Sequence, residues 1–233
     1  MAKFGIVLPV TAGTSAWDYG LNFERMREVT KICEHIGLDS VWAADHLMTG
    51  VNNETFDAWT ILAGLSQVTE RMRLGTLVTC PTHRYPAVLA KLVATLDVMS
   101  NGRVDLGIGA GWNRKEQSAY GLHWEEVPRA RIGRLVETIK ILKGMWTNDS
   151  FTFTGKYYSV KDAVCLPKPA QKPTPPDLSR VSRRDSHIGW RRVLGFFVVF
   201  VHLALTFSGA YCSFSRNLFS LLSLCLRNRL SST

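Results

Sequence analysis

The sequence predicts an α/β protein: the N-terminal half of a (β/α)8 TIM barrel, about four βα units, followed by a small β-hairpin and an unrelated tail, irregular or helical. Three observations predict it. Short apolar runs alternate with amphipathic helical stretches four times, at intervals of roughly 30–36 residues, the period of a parallel βαβ array. Two short β-rich runs around Gly155 and Lys156 then read as an inserted hairpin. Finally, the composition changes abruptly at Pro175 and Pro176. Residues 1–176 hold all nine prolines, 20 Lys+Arg and 17 Asp+Glu. Residues 177–233 hold no proline, lysine or glutamate, but eight arginines, two aspartates and ten serines. The expected division is therefore 1–176, a half-barrel, and 177–233, an Arg/Ser-rich apolar tail. A closed eight-unit barrel takes about 250 residues.

The elements follow in order. Lys3 to Pro9 is a short apolar run suited to a buried parallel strand. A helix follows from about Leu21 to His35, with Phe23, Met26, Val29, Cys33 and Ile36 on one stripe and Gly37 ending it. Ser40 to Ala44 is the second strand, and Asp57 is an N-cap for the second helix. Arg73 to Cys80 is the third strand. Pro86 opens a third helix with Leu89, Leu92, Leu96 and Met99 on one face. Val104 to Ile108 is the fourth strand. A short helix over 114–120 and a long one over 129–146 follow, the latter with Ile132, Leu135, Ile139, Leu142 and Trp146 in register. Phe151–Thr154 and Tyr157–Val160 form the hairpin. The run from Pro167 to Pro176 is an extended connector.

Charge and cysteine usage narrow the function. The net charge is +9, of which only +3 falls before the seam and +6 in the tail. No basic face with interleaved aromatics precedes the tail, so a nucleic-acid partner is not expected. The five cysteines form no CxxC pair, which fits reduced thiols in a cytoplasm. The first ten residues read as a strand, without the basic leader of a signal peptide.

Three strand ends carry the chemistry, since C-terminal strand ends face the site in parallel α/β folds. The second strand ends in Asp45 and His46. A histidine there exchanges protons near neutral pH, and Asp45 either orients it or faces away as a structural partner. The third strand ends in Thr79, Cys80, Pro81 and Thr82. The fourth enters a glycine loop with Gly109, Gly111, Trp112 and Asn113. That loop either admits a flat or phosphorylated ligand or packs strand tightly against helix. Trp112 either walls a flat ring or fills core. A Rossmann reading is disfavoured, because the glycines follow the fourth strand and no acidic ribose ligand is placed after them.

Taken together, Ser40–His46 (SVWAADH), Arg73–Lys91 (RLGTLVTCPTHRYPAVLAK) and Leu96–Asn113 (LDVMSNGRVDLGIGAGWN) resemble the luciferase-like flavin monooxygenase family, in its F420-dependent oxidoreductase branch. The resemblance covers residues 3–176. It implies a (β/α)8 barrel binding coenzyme F420, or alternatively FMN, at its C-terminal face, for hydride transfer or monooxygenation of a small organic substrate. His46 matches the family's histidine near the flavin ring, with Asp45 beside it as a second catalytic candidate. A non-proline cis peptide backing the ring is implied near Leu77–Val78, making Leu77, Val78 and Thr79 cofactor-binding candidates. Gly109, Gly111, Trp112 and Asn113 match the family's fourth-strand loop. Some deazaflavin dehydrogenases carry a catalytic glutamate where this chain has Trp112, a departure that argues against sugar-phosphate oxidation. No metal is implied.

The same resemblance places a fifth strand immediately after Pro176, and the text there lacks the expected apolar run and glycine. Truncation or a frameshift after about residue 176 is the expectation, with activity impaired. An open half-barrel would also self-associate as a homo-oligomer unless the tail covers it. The alternative is a non-catalytic, membrane-associated fragment anchored through residues 193–212, which carry only His202, Thr206 and Ser208 as polar residues.

Overall fold

The computed structural model describes residues 3–13 and 21–175 and the backbone of 177–180. A five-stranded parallel sheet forms its centre, in the order β1 (Gly5–Val7), β2 (Ser40–Ala43), β3 (Arg73–Thr76), β4 (Val104–Gly109) and β7 (Asp177–Arg180). Between the strands run α1 (Phe23–His35), α2 (Ala58–Ser66), α3 (Pro86–Met99), the short α4 (Arg114–Ala119) and the long α5 (Pro128–Thr147). A separate antiparallel hairpin joins β5 (Phe151–Thr154) to β6 (Ser159–Ala163).

Local signals set the helix starts. The Asn22 side chain accepts from the Arg25 N–H and that of Asp57 from the Thr60 N–H, each satisfying a first-turn donor. Pro86 and Pro128 open α3 and α5, where a missing N–H costs nothing. The core lies between sheet and helices: Val41, Ala43, Leu74, Leu106 and Ile108 meet Leu62, Leu65, Leu89, Val93, Ile141 and Leu142.

Several expectations need correction. β1 is shorter than Lys3–Pro9 and is an edge strand, pairing only with β2 among the described residues, so Val7 is 36% exposed. β3 stops at Thr76, not Cys80, because the Leu77–Val78 peptide is cis and turns the chain out of the ladder. Thr79 then rejoins it as a single bridge: its N–H donates to the Gly107 carbonyl at 2.7 Å, and its carbonyl accepts from the Gly109 N–H at 3.0 Å. Met99 is exposed, because Asp97 takes the inward position of that turn and accepts from the Val104 and Gln171 N–H groups. The second hairpin strand begins at Ser159 and not Tyr157. Residues 156–158 give their three N–H groups to the Glu137 carboxylate of α5 rather than to the ladder.

The largest correction concerns the seam. The fifth strand expected to be missing is present as β7, paired in parallel with β4 from Leu106↔Asp177 to Gly109↔Arg180. Backbone hydrogen bonding, indifferent to side-chain polarity, suffices to add four residues to the edge of β4. Residues 181–233, including the candidate span 193–212, lie outside the described residues. Among the described residues no helix is long and apolar enough to cross a membrane.

Candidate active site

Three strand ends meet at one end of the sheet and build the site. The segment after β2 carries Asp45 and His46, the cis bulge after β3 leads to Cys80–Arg84, and the loop after β4 leads into α4. Gly107 lets β4 pack against β3: a Cβ there would lie 2.0 Å from the Thr76 carbonyl oxygen. At Gly109 a Cβ would lie 2.9 Å from a Val78 methyl, a milder conflict, and Gly111 adopts φ +77° beside the Cys80 sulfur. Of the two readings of the glycine loop, close packing of strand on strand accounts for Gly107 and Gly109. Gly111 serves the turn that delivers Trp112 and Asn113.

Asn113 caps α4 by accepting from the Glu116 N–H. That cap aims Glu116, a residue that sequence reasoning missed, back across the sheet end. Glu116 is 2% exposed and is the site's hub. Its Oε1 lies 3.1 Å from His46 Nδ1 and 3.3 Å from His83 Nε2. Its Oε2 accepts from the Leu47 N–H at 2.9 Å and the Met48 N–H at 3.1 Å. The signal was present as a glutamate three residues past an Asn cap, but nothing local distinguished it from an ordinary first-turn acid.

Asp45 does not orient His46, which corrects its place among the catalytic candidates. It is 2% exposed, paired with Arg84 at 2.8 and 3.1 Å, and accepts from the Cys80 N–H at 3.4 Å. Burial pushes its carboxyl up, and the Arg84 guanidinium opposes that rise. Arg84 also reaches the Asp57 carboxylate that caps α2. Asp45 therefore ties the end of β2 to the segments before α2 and α3, one step removed from the chemistry.

His46 is partly exposed and meets Trp112 edge to face, ring centroids 5.5 Å apart. Trp112 is 70% exposed, which decides against a core role. His83 is wholly enclosed. Burial pushes its imidazole below its ordinary value, against the pull of Asp45 and Glu116, and neither ring nitrogen has a hydrogen-bond partner among the described residues. Burial pushes the Cys80 thiol up, against the opposing effect of Thr82, whose hydroxyl it contacts at 3.1 Å. Thr79 contributes a buried hydroxyl without a partner among the described residues. A groove of about 520 Å³ between α3, α5 and β6 shares no residue with these strand ends.

Residues 1–208 match the sequence profile of the luciferase-like monooxygenases. The chain belongs to the luciferase-like monooxygenase family. The match runs past the seam at Pro176 and covers β7. One luciferase-like relative is an F420-dependent glucose-6-phosphate dehydrogenase of Amycolatopsis mediterranei, 39% identical over 59% of this chain and 42% of its own. Among solved structures, an F420-dependent secondary alcohol dehydrogenase in complex with an F420–acetone adduct superimposes with a TM-score of 0.64 at 28% identity. It covers 76% of this chain and 51% of its own. The FMN-bound oxygenating constituent of 3,6-diketocamphane monooxygenase from Pseudomonas putida gives 0.63 at 19% identity, over 76% and 50% of the two chains, a likeness of fold alone. The chain thus spans about half the length of the relatives it matches. Their common fold makes the parallel sheet part of a luciferase-like barrel.

Proposed function

We propose that the chain is the N-terminal half-barrel of an F420-dependent oxidoreductase acting on a small hydroxyl-bearing substrate. The observation that carries the reading is the pairing of a partly exposed His46 with a largely exposed Trp112, at the sheet end where the chain bulges after β3. These residues fit one side of a flat ring: an aromatic wall, a proton-exchanging edge and a backbone bulge. The unpartnered Thr79 hydroxyl supplies a polar group behind that bulge. Trp112, Leu77, Val78 and Thr79 would hold the ring, with Gly109, Gly111 and Asn113 shaping the loop beside it. Bound there, F420 would supply a hydride acceptor for a substrate carbon. His46 takes up the hydroxyl proton that such an oxidation releases, held at the site's edge by Trp112 and Glu116. The relatives named above act on a sugar phosphate and on a secondary alcohol, which supports a hydroxyl substrate. Trp112 keeps sugar phosphates outside the proposal.

FMN remains the alternative cofactor. The division at Pro176 is proposed to move to the end of β7, and the residues available on one side of the ring are proposed to bind it weakly. Titration of the full purified chain with F420 and with FMN, followed by fluorescence, tests the reading. Saturable F420 binding, tighter than FMN binding, is expected. FMN binding tighter than F420, or no F420 binding, overturns it.

A further inference from the structure

The carboxylate that faces His46 has an unusual distribution of partners. Both backbone amides of the following loop, Leu47 and Met48, go to Oε2, while His46 Nδ1 lies across the two oxygens, 3.1 Å from Oε1 and 3.2 Å from Oε2, and His83 Nε2 lies 3.3 Å from Oε1. Oε2 holds the loop, and the carboxylate as a whole faces the His46 nitrogen. As a carboxylate Glu116 only accepts, so the His46 nitrogen that faces it carries the proton. The other ring nitrogen, Nε2, has no hydrogen-bond partner among the described residues.

We infer that Glu116 is a positioning residue that fixes His46 as the Nδ1–H tautomer and leaves Nε2 as the acceptor beside Trp112. Its meaning for the reaction rests on the reading of His46 as the site's proton acceptor. The arrangement itself rests only on the contacts above. The burial of Glu116 and its two amide bonds hold it in place without help from His46, so it orients the ring and not the reverse. His83 is enclosed and lies 3.3 Å from Oε1, outside hydrogen-bonding geometry, so its loss should leave the His46 contact intact.

The substitution that separates positioning from bulk is Glu116→Gln. A glutamine has one acceptor oxygen and one NH2 group in the same volume. The Leu47 and Met48 amides take both lone pairs of that oxygen, which leaves the NH2 at the other position as the group that His46 Nδ1 meets. That nitrogen must then accept, and the proton moves to Nε2. Nitrogen–proton correlation spectra of the full chain, labelled on histidine and assigned with His46→Asn, read the tautomer directly. Nδ1–H is expected as the majority form in the wild type and in His83→Phe, with inversion to an Nε2–H majority in Glu116→Gln. A wild-type majority of Nε2–H overturns the inference, and so does a folded Glu116→Gln that keeps Nδ1–H. If Glu116→Gln fails to fold, the wild-type and His83→Phe spectra still decide. No cofactor enters this measurement. A failed F420 titration therefore sinks the functional reading alone, and a wrong tautomer sinks the positioning role alone.

Discussion

Arg84 Nη1 stands 2.8 Å from Asp45 Oδ2, and this pair occupies the carboxylate that sequence order places next to His46. Asp45 is enclosed, while Arg84 bridges onward to Asp57. Arg84→Met leaves Asp45 buried without its counter-charge, for which about 3–5 kcal/mol of lost stability is expected. Asp45→Asn should cost less, because Arg84 keeps Asp57, and the double variant should recover part of the Arg84→Met loss. Urea unfolding of the four proteins measures this. Equal stabilities of Arg84→Met and wild type would show the pair to be dispensable.

His83 gives the fold a pH dependence distinct from that of its carboxylates. Burial holds its folded value below the ordinary 6.5, so the unfolded chain binds the proton first as pH falls. Stability is full above about 6.5 and declines as pH drops through that value, until the folded ring itself protonates. Asp57 and Glu34 act lower down. Burial raises each, but the Thr60 donors and Arg84 around Asp57, and the Arg71, Met72 and Glu70 amides around Glu34, hold both below the usual carboxylate value. Their contribution is present near neutrality and disappears only as pH falls through those depressed values. Unfolding midpoints between pH 7 and 5 should therefore fall for the wild type and fall less for His83→Phe. Parallel curves would reject the assignment.

What was legible in the sequence was what is local. Asp57 and Pro86 announce helix starts within one turn, and the apolar spacing of Leu89 to Leu96 announces a buried helix face. The cis peptide at Leu77–Val78 stands where the family resemblance places it. What was not legible depends on partners far along the chain. Asp45 is claimed by Arg84, 39 residues on, and His46 by Glu116, 70 residues on. No period or cap encodes which of two adjacent strand-end side chains turns toward which helix. The start of β6 was misplaced for the same reason, since Glu137 takes the amides of residues 156–158 from across a loop. β7 was missed because a strand added by backbone bonds carries no side-chain signature.

Arg103 gathers the far end of the sheet. Its Nε donates to the Ser100 carbonyl at 2.7 Å, Nη1 to Thr69 Oγ1 and the Met72 carbonyl, and Nη2 to the Ser66 carbonyl at 2.9 Å. The fork thereby joins the end of α2, the turn before β3 and the turn before β4. Lysine offers one ammonium point and cannot reach three segments at once. Arg103→Lys should cost about 1–3 kcal/mol, the range for losing charge-assisted hydrogen bonds with buried acceptors. Chemical denaturation reads it, and an unchanged midpoint would mean that water replaces the fork without loss.

Trp112 separates the fold from the binding of a flat ring. Its indole is largely exposed, and its recorded ring contact is the edge-to-face approach to His46. A surface side chain of this kind contributes within about 0.5 kcal/mol to folding, so Trp112→Ala should unfold with the wild type. If the indole walls the cofactor ring, its removal forfeits an aromatic contact worth about 0.5–1.5 kcal/mol. That corresponds to F420 binding weakened by roughly 2- to 12-fold. Trp112→Phe keeps a ring face and should retain most of the affinity. Fluorescence titration of the three proteins with F420, beside their urea curves, makes the test. Lost affinity at unchanged stability places the ring against Trp112. Unchanged affinity in the alanine variant removes Trp112 from the site and leaves it a surface residue beside His46.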